Sequence, residues 1–315
     1  MSIKIGFADF WPGFEYKKYF IYKILQNNFD IEVSRNPDYL LYSDYSNEHL
    51  QYDCIKVRYS AENVRPNFSI SDYVIGFDYS SSPRYLRLPL YVAYFNELYT
   101  LDKLLREKTE SELDRIIQSK NKFCCFVVSN PDSTRRIDFF HKLSKYKLVD
   151  SGGSVLNNVG GRIKDKLEFV KQYKFIIAFE NSSYPGYTTE KILQPFHVNT
   201  IPIYWGNPVI HEEFNTKSFI NWHEYNSDEK VIEEIIRVDN DNEMYRQYLS
   251  TGMFYENEKS IYFSEEKVIN YFERVFKQTQ TNVRKVDIQK ERAELKVKQI
   301  AYKMNNRFRK YLYKN

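Results

Sequence analysis

The segment from Phe179 to Lys191 combines the features of an anion-binding site. It reads Phe-Glu-Asn-Ser-Ser-Tyr-Pro-Gly-Tyr-Thr-Thr-Glu-Lys, follows an apolar strand pattern and precedes a helical pattern. The first turn of a helix presents backbone N–H groups without intrahelical partners, and the helix dipole favours a negative ligand there. Because that dipole disfavours a lysine, Lys191 suggests a bound phosphate. The spacing alone is equally compatible with a solvated Glu190–Lys191 pair capped by Thr188.

Alternating strand and helix patterns predict how this segment is positioned. Strand patterns occur at 3–8, 31–34, 39–42, 55–59, 123–128, 147–149, 175–179, 200–204 and 218–220, and helical patterns at 16–25, 101–119, 134–143, 164–172 and 189–197. This alternation predicts an α/β protein with parallel sheets. Ligands of such sheets bind beyond the carboxyl ends of the strands. The loops after Tyr59, Val128 and Phe179 are therefore the first candidates for a site.

Composition narrows the class of protein. The 315 residues, of which 42% are hydrophobic, are enough for two cores, and the 28 Tyr and 23 Phe argue against disorder. No run approaches the roughly 18 apolar residues of a membrane span, and residues 1–10 lack the apolar run of a signal peptide. The three cysteines show no metal-like spacing, which favours a reducing cytoplasm.

The C-terminal segment differs from the rest of the chain. Residues 284–315 hold 11 Lys or Arg and 3 Asp or Glu, a net charge of +8, which leaves −4 on the preceding residues because the whole chain carries +4. Apolar residues recur there at helical spacing: Val297, Ile300, Ala301, Met304, Phe308, Tyr311 and Leu312. We expect a basic amphipathic helix that attaches peripherally to an anionic membrane. The alternative is a helix that packs back on the body.

Three motifs resemble one enzyme family. They are Phe179-Glu-Asn-Ser182, Gly186-Tyr-Thr-Thr-Glu-Lys-Ile192, and Thr200-Ile-Pro-Ile-Tyr-Trp-Gly206 followed by Pro208. Together they resemble the donor-site signature of the α1,3/4-fucosyltransferases, glycosyltransferase family 10. Further motifs resemble its bacterial branch: Ser129-Asn-Pro131 with Arg136, Gly152-Gly-Ser154, Ala61-Glu-Asn63 with Pro66-Asn-Phe68, and Arg84-Tyr-Leu-Arg87. The resemblance covers roughly residues 3–265 and leaves the tail outside it.

The resemblance implies a GT-B architecture, in which two Rossmann-like domains face each other across a cleft. We therefore expect an acceptor-side domain at 1–120, a GDP-fucose-binding domain at 121–275 and a basic amphipathic tail at 276–315.

In the family, an Arg after the Ser-Asn motif and the Lys of the Glu-Lys pair hold the diphosphate, which here implies Arg136 and Lys191. Two fixed cations can stabilise the charge that develops on departing GDP without a divalent metal. The resemblance also assigns Asn181, Tyr187 and Glu190 to the donor nucleotide. The alternatives are a turn for Asn181, a core position for Tyr187 and a solvated charge for Glu190. For Glu180 the alternative is a buried carboxylate paired with a neighbour.

The resemblance implies Glu62 as the catalytic base, with Tyr59 lining the same cleft. An inverting transfer needs one carboxylate that accepts the proton of the acceptor hydroxyl. Without the family, Glu62 would be read as a loop residue.

These assignments predict an inverting fucosyltransferase that moves L-fucose from GDP-β-L-fucose to O3 of N-acetylglucosamine in N-acetyllactosamine-type acceptors. The products would be Lewis x-type structures on bacterial surface glycans such as lipopolysaccharide. O3 of glucose in lactose and an α1,4 linkage are alternatives. No cofactor and no metal site are predicted, although a divalent metal could stimulate the reaction. The expected location is the cytoplasm or the inner face of the membrane.

Other functions remain open at this point. A catalytically silent sugar or nucleotide binder would keep the donor residues and lack the base, and another GDP-hexose could be the donor. A nucleic-acid binder could use the basic tail, but the body is acidic and carries no recognised binding motif, so no nucleic acid is expected. The acid pair in Asp239-Asn-Asp241 is interpreted as a turn and not as a metal site.

Overall fold

A computed structural model describes residues 2–93, 104–132 and 134–281. The first of its two sheets is built from strands β1 Ile3–Ala8, β2 Ile31–Val33, β3 Tyr39–Tyr42, β4 Ile55–Tyr59, β5 Tyr73–Gly76 and β6 Tyr85–Arg87. All neighbouring strands are parallel, and their order is β2-β1-β3-β4-β5-β6. Every residue of β3 and β5 is buried, as expected for parallel strands covered on both faces.

The second sheet is also parallel. Its strands are β7 Lys122–Phe126, β8 Val149–Ser151, β9 Tyr173–Phe179, β10 Ile201–Trp205 and β11 Ile220–Asn221, in the order β11-β10-β9-β7-β8. The long strand β9 lies at the centre and is almost entirely buried. Because the strands run in parallel, the loops after β7, β9 and β10 all emerge at one edge.

Helices connect and cover the strands. They are α1 Phe20–Asn28, α2 Glu110–Ser119, α3 Thr134–Leu143, α4 Lys166–Val170, α5 Glu190–His197, α6 Trp222–Tyr225, α7 Asp228–Asn240, α8 Asn242–Ser250 and α9 Glu265–Phe276. Their starts follow the expected chemistry: Thr109 and Glu112 form a capping box at α2, and Ser227 caps α7. Short 3₁₀ turns occur between them.

The end of the described chain returns to the first sheet. In α9, the ring of Phe276 packs edge-on against Phe29 and Tyr39 at centroid distances of 5.2 and 4.9 Å. The Tyr39 hydroxyl donates to the Phe276 carbonyl at 2.9 Å. Helix α9 therefore covers the first sheet although it follows the second sheet in sequence.

A buried ion pair joins the two sheets. Glu213, beyond β10, accepts from Arg87 of β6 at 2.6 Å, and their side chains are only 3% and 8% exposed. The Tyr91 hydroxyl donates to the same carboxylate at 2.5 Å. Because removing one member of such a pair leaves a buried charge without compensation, this contact holds the sheets in one arrangement.

The predicted α/β class with parallel sheets is confirmed. Strand bounds agree for β1, β3 and β4, but β5 and β6 were not predicted, and the strand expected at 218–220 begins two residues later as β11. The predicted domain bounds of 1–120, 121–275 and 276–315 stay a prediction. The predicted tail helix at 297–312 lies outside the described residues.

Candidate active site

A cavity of about 400 Å³ lies between loops that follow strands of both sheets. From the first sheet, the lining includes Trp11 after β1, Tyr45 after β3, Tyr59 at the end of β4, and Glu62 after β4. From the second sheet, it includes Asn181, Tyr187, Thr189, Glu190 and Lys191, which belong to the loop after β9 and the start of α5. A concave pocket at the carboxyl ends of parallel strands is the expected place for a ligand.

Most of the site residues predicted from the sequence meet in this cavity. Those that line it are Tyr59, Glu62, Asn181, Tyr187, Glu190 and Lys191. Arg136, by contrast, is buried in α3 and is not among the lining residues that the structure describes. Its guanidinium donates to the Asn130 carbonyl at 3.2 Å, and its Nε has no hydrogen-bond partner within the described ranges. Burial lowers the pKa of Arg136, and the nearby Glu180 and Tyr187 oppose that shift.

The start of α5 is held by a buried carboxylate. Thr189 caps the helix, since its hydroxyl accepts from the Lys191 N–H at 3.4 Å. The backbone N–H and the hydroxyl of Thr189 donate to Glu180 at 2.8 and 2.9 Å. The side chains of Glu190 and Lys191 are only 18% and 21% exposed. The alternative of a solvated pair capped by Thr188 is therefore wrong.

Lys191 is paired with the same carboxylate. Its Nζ lies 3.1 Å from Glu180 Oε2, 3.1 Å from Thr189 Oγ1 and 3.8 Å from Glu190. Burial raises the pKa of Glu180, which is fully buried. Burial alone would lower the pKa of Lys191, but Glu180 and Glu190 raise it above its ordinary value. Lys191 is thus a fixed cation, and one of its three N–H donors remains for a ligand in the cavity.

The loop between β9 and α5 depends on Gly186. This residue has φ +81°, and a Cβ there would lie 2.8 Å from the Phe77 carbonyl oxygen of the first sheet. The Gly186 N–H donates to Asn207 Oδ1 at 2.8 Å. Next to it, the buried Tyr187 packs its ring on Phe77 at 4.9 Å. Close approach to the first sheet thus sets the position of Tyr187 in the cavity wall.

Glu62 lies on an exposed loop that is tied to the second sheet. The Asn63 side-chain amide donates to Ser182 Oγ at 2.5 Å. The Arg65 guanidinium lies 3.4 Å from the ring centroid of Tyr184. These contacts hold the loop after β4 against the loop after β9, and Glu62 and Lys191 line the same cavity.

The cavity lining also includes residues that the sequence did not single out, among them Trp11 and Tyr45. Both stand in loops after strands whose bounds were predicted, β1 and β3. The rule that selected the loop after Tyr59 would have selected these loops as well. Glu180, for which a buried pair was an alternative, proves to be buried and paired with Lys191.

The acid pair near residue 240 has a structural role. Asp239 lies in the last turn of α7 and accepts from Lys147 and Lys174 at 3.0 Å. Asp241 is the one-residue connection between α7 and α8 and caps α8, so the segment lies where the chain passes from one helix to the next. Within 2–93, 104–132 and 134–281, no group of three or more His, Cys, Asp or Glu side chains is arranged to hold a metal ion. In those same ranges, no helix has the length and apolar character needed to span a bilayer.

Two family models match this chain. Residues 5–94 match the N-terminal domain of α-(1,3)-fucosyltransferase FucT. Residues 117–295 match the C-terminal model of glycosyltransferase family 10 (fucosyltransferase). The second match alone covers more than half of the chain and includes the cavity residues from Asn181 to Lys191.

Proteins of similar sequence and structure are fucosyltransferases. The α-(1,3)-fucosyltransferase FucT of Helicobacter pylori is 33% identical over 87% of this chain and 66% of its own length. The human GDP-fucose protein O-fucosyltransferase 3 is 30% identical over 55% of this chain and 39% of its own length. A crystal structure of an α1,3-fucosyltransferase with GDP-fucose has a TM-score of 0.72 and 30% identity, covering 88% of this chain and 91% of that one. The chain thus spans just under two thirds of the H. pylori relative.

Proposed function

Because the chain belongs to glycosyltransferase family 10, the fucosyltransferases, we propose that it transfers L-fucose from GDP-β-L-fucose to a sugar hydroxyl with inversion at the anomeric carbon. The carrying observation is that Lys191, in the first turn of α5, and Glu62, in the loop after β4 of the first sheet, line the same cavity. A fixed cation and an opposed carboxylate are the two groups that a direct displacement requires.

On the donor side, the start of α5 suits the diphosphate of GDP. Backbone N–H groups and the helix dipole favour an anion there, and Lys191 has a donor left for a phosphate oxygen. Glu180 keeps Lys191 charged and directed, since its two oxygens bind both Lys191 and the helix cap Thr189. Arg136 would add a second positive charge near Tyr187, and Asn181 and Glu190 can bond to donor hydroxyls. As GDP departs, its β-phosphate gains charge that these groups stabilise.

On the acceptor side, Glu62 would accept the proton of the attacking hydroxyl. The acceptor oxygen forms a bond to the anomeric carbon while the bond from that carbon to the GDP phosphate oxygen breaks. The proton passes to the Glu62 carboxylate, and GDP leaves towards Lys191. Because base and cation come from opposite walls, attack proceeds from the face opposite GDP and yields an α-L-fucoside without a covalent intermediate.

This assignment implies a GT-B architecture, with the first sheet on the acceptor side and the second sheet on the donor side. Two parallel sheets with a shared cavity at their carboxyl ends support it. The domain bounds of 1–120 and 121–275 follow this division, with α9 crossing back to the first sheet.

The proposed acceptor is O3 of N-acetylglucosamine in N-acetyllactosamine, which would give Lewis x-type surface glycans such as those of lipopolysaccharide. Incubation with GDP-fucose and lactose, N-acetyllactosamine or lacto-N-biose, with the linkage determined by NMR, tests this. We expect an α1,3-linked fucoside of N-acetyllactosamine and stoichiometric GDP. A parallel incubation with another GDP-hexose tests the donor, and transfer from that donor alone would overturn the donor assignment. The absence of product with every donor and acceptor would overturn the proposed function. Persistence of activity in EDTA would support a reaction without a required metal.

The tail at 284–315 is proposed to attach the enzyme to the inner face of a membrane, because of its net charge of +8 and its apolar stripe. We expect the full chain to sediment with vesicles that contain anionic phospholipid, and a chain ending at residue 283 to stay in the supernatant. Neutral phosphatidylcholine vesicles and raised salt are the controls, since the attraction is electrostatic. Equal sedimentation of the two chains would contradict this attachment.

A further inference from the structure

We propose that Trp11 and Tyr45 form an aromatic platform on which the acceptor sugar ring stacks, so that its hydroxyl reaches Glu62. This inference rests on the proposed function and names the acceptor subsite within the same cavity. Both residues line the cavity from loops of the first sheet, as Glu62 does, whereas Lys191 lines it from the second.

Exposure separates Tyr45 from the other tyrosines of the cavity. Tyr45 is 52% exposed, whereas Tyr19, Tyr59 and Tyr187 are each 2% exposed and belong to the packed wall. The Trp11 ring lies 6.4 Å from the Tyr45 ring at an interplanar angle of 70°. Trp11 is in turn packed edge-on against Phe10 and Phe14, with centroids 5.6 and 5.1 Å away. The platform therefore offers apolar ring surface to the cavity from a supported indole.

Asp9 joins the two loops that carry the platform. It directly follows β1, lies in the left-handed backbone region with φ +58°, and is 5% exposed. Its carbonyl accepts the Tyr45 N–H at 3.0 Å, and its carboxylate accepts from the side chains of Ser46 and His49 and from the Glu48 N–H at 2.7 Å. Asp9 has a strained backbone conformation and accepts several hydrogen bonds from the loop after β3. We infer that it fixes the position of that loop relative to the loop after β1.

Asp44 joins the platform to the base. Its carboxylate accepts from Arg58 at 2.6 Å and from the Ser60 hydroxyl at 2.7 Å, and Ser60 lies two residues before Glu62. Tyr45 and Glu62 line the same cavity. Burial raises the pKa of Tyr45, and the charges of Glu62 and Asp44 raise it further. Asp9 and Asp44 are therefore positioning residues for the platform.

The chemistry of this wall fits a neutral pyranose. A sugar ring has a face of C–H groups and a rim of hydroxyls, and it can stack on an aromatic ring while its rim bonds to a carboxylate. Near the platform, the positive charge of Arg58 is neutralised by Asp44. An uncharged acceptor sugar is thus the expected occupant.

The test compares Tyr45→Ala and Tyr45→Phe with Tyr255→Ala, a control tyrosine that is 47% exposed and does not line the cavity. We expect Tyr45→Ala to raise KM for N-acetyllactosamine about tenfold, the scale of one aromatic contact, and Tyr45→Phe to stay within about twofold of wild type. We expect no change in KM for GDP-fucose, in the affinity for GDP or in the midpoint of thermal unfolding. Unchanged values would show that the fold and the donor site are intact. Trp11→Leu should also raise KM for N-acetyllactosamine.

Saturation-transfer NMR with N-acetyllactosamine and GDP-loaded protein separates this inference from the proposed function. Signals of the sugar C–H face should be seen for wild type and Tyr45→Phe and lost in Tyr45→Ala, whether or not turnover occurs. If wild type transfers fucose while acceptor KM and sugar signals are unchanged in Tyr45→Ala and Trp11→Leu, the platform is wrong and the function stands. Sugar binding that depends on Tyr45 without any transfer would support the platform and overturn the function. The absence of both sugar binding and fucose transfer would overturn the platform and the proposed function.

Discussion

Replacing Glu62 with Gln is expected to lower kcat for fucosyl transfer about 10³-fold while GDP affinity stays within about twofold of wild type. General base catalysis contributes roughly 10² to 10⁴ to an enzymatic rate, and the amide cannot accept the proton. Glu62 is exposed on the loop after β4 of the first sheet, whereas the donor residues follow β9 of the second, so its replacement leaves the donor residues in place. Initial rates with saturating acceptor, together with calorimetric titration of GDP, measure the two effects.

Glu32→Gln is the matched control for this experiment. Glu32 is an exposed carboxylate on β2, and it does not line the cavity. Its substitution should leave both kcat and GDP affinity unchanged. Near-normal kcat in Glu62→Gln would show that another group accepts the proton, and a parallel loss of GDP affinity would show that Glu62 supports the donor site instead.

Local patterns predicted the elements whose signal lies within the segment. The alternation of β1 and β4 and the helical spacing of α3 were sufficient to give their bounds. Strand β5 is a four-residue apolar run like β3, so its sequence did carry a strand signal, whereas β6 has only three residues and ends in Arg87. Strand β5 pairs with β4 and β6 pairs with β5, and such pairing is a long-range property.

The same distinction applies to the candidate site. The helix start at Glu190 and Lys191 was visible in the sequence because a strand, a loop and a helix follow one another. Which carboxylate pairs with Lys191 was not, since Glu180 reaches it only after β9 and α5 have packed. The contribution of Trp11 and Tyr45 likewise required the cavity, because aromatic residues are abundant throughout the chain.

Because Lys191 is paired with the buried Glu180, replacing Lys191 affects both GDP binding and folding. The free energy of unfolding must therefore be measured together with GDP affinity. In Lys191→Met, we expect GDP affinity to fall about 100-fold, the scale of one or two charge-assisted hydrogen bonds. We also expect a loss of about 3 kcal/mol in the free energy of unfolding at pH 8, because Glu180 is left buried without its cation. Urea denaturation and calorimetric titration of GDP measure the two quantities.

The pH dependence of that stability loss follows from Glu180. Burial already raises the pKa of this carboxyl group in the native protein, and removal of Lys191 raises it further. A folded-state pKa above the unfolded value means that the native state binds more protons between the two values. Unfolding free energy then falls as pH rises through that window. Lys191→Met should therefore be closer to wild type in stability near pH 5 than near pH 8.

The double variant Glu180→Gln/Lys191→Met separates ligand binding from folding. With both charges removed, most of the lost stability should return, because the remaining amide can still accept from Thr189 and no buried charge is left unpaired. GDP affinity should stay about 100-fold below that of wild type, since the cation that meets the phosphate is still absent. If the double variant instead recovers GDP affinity together with stability, Lys191 acts only as the partner of Glu180, and the diphosphate must be held by other groups.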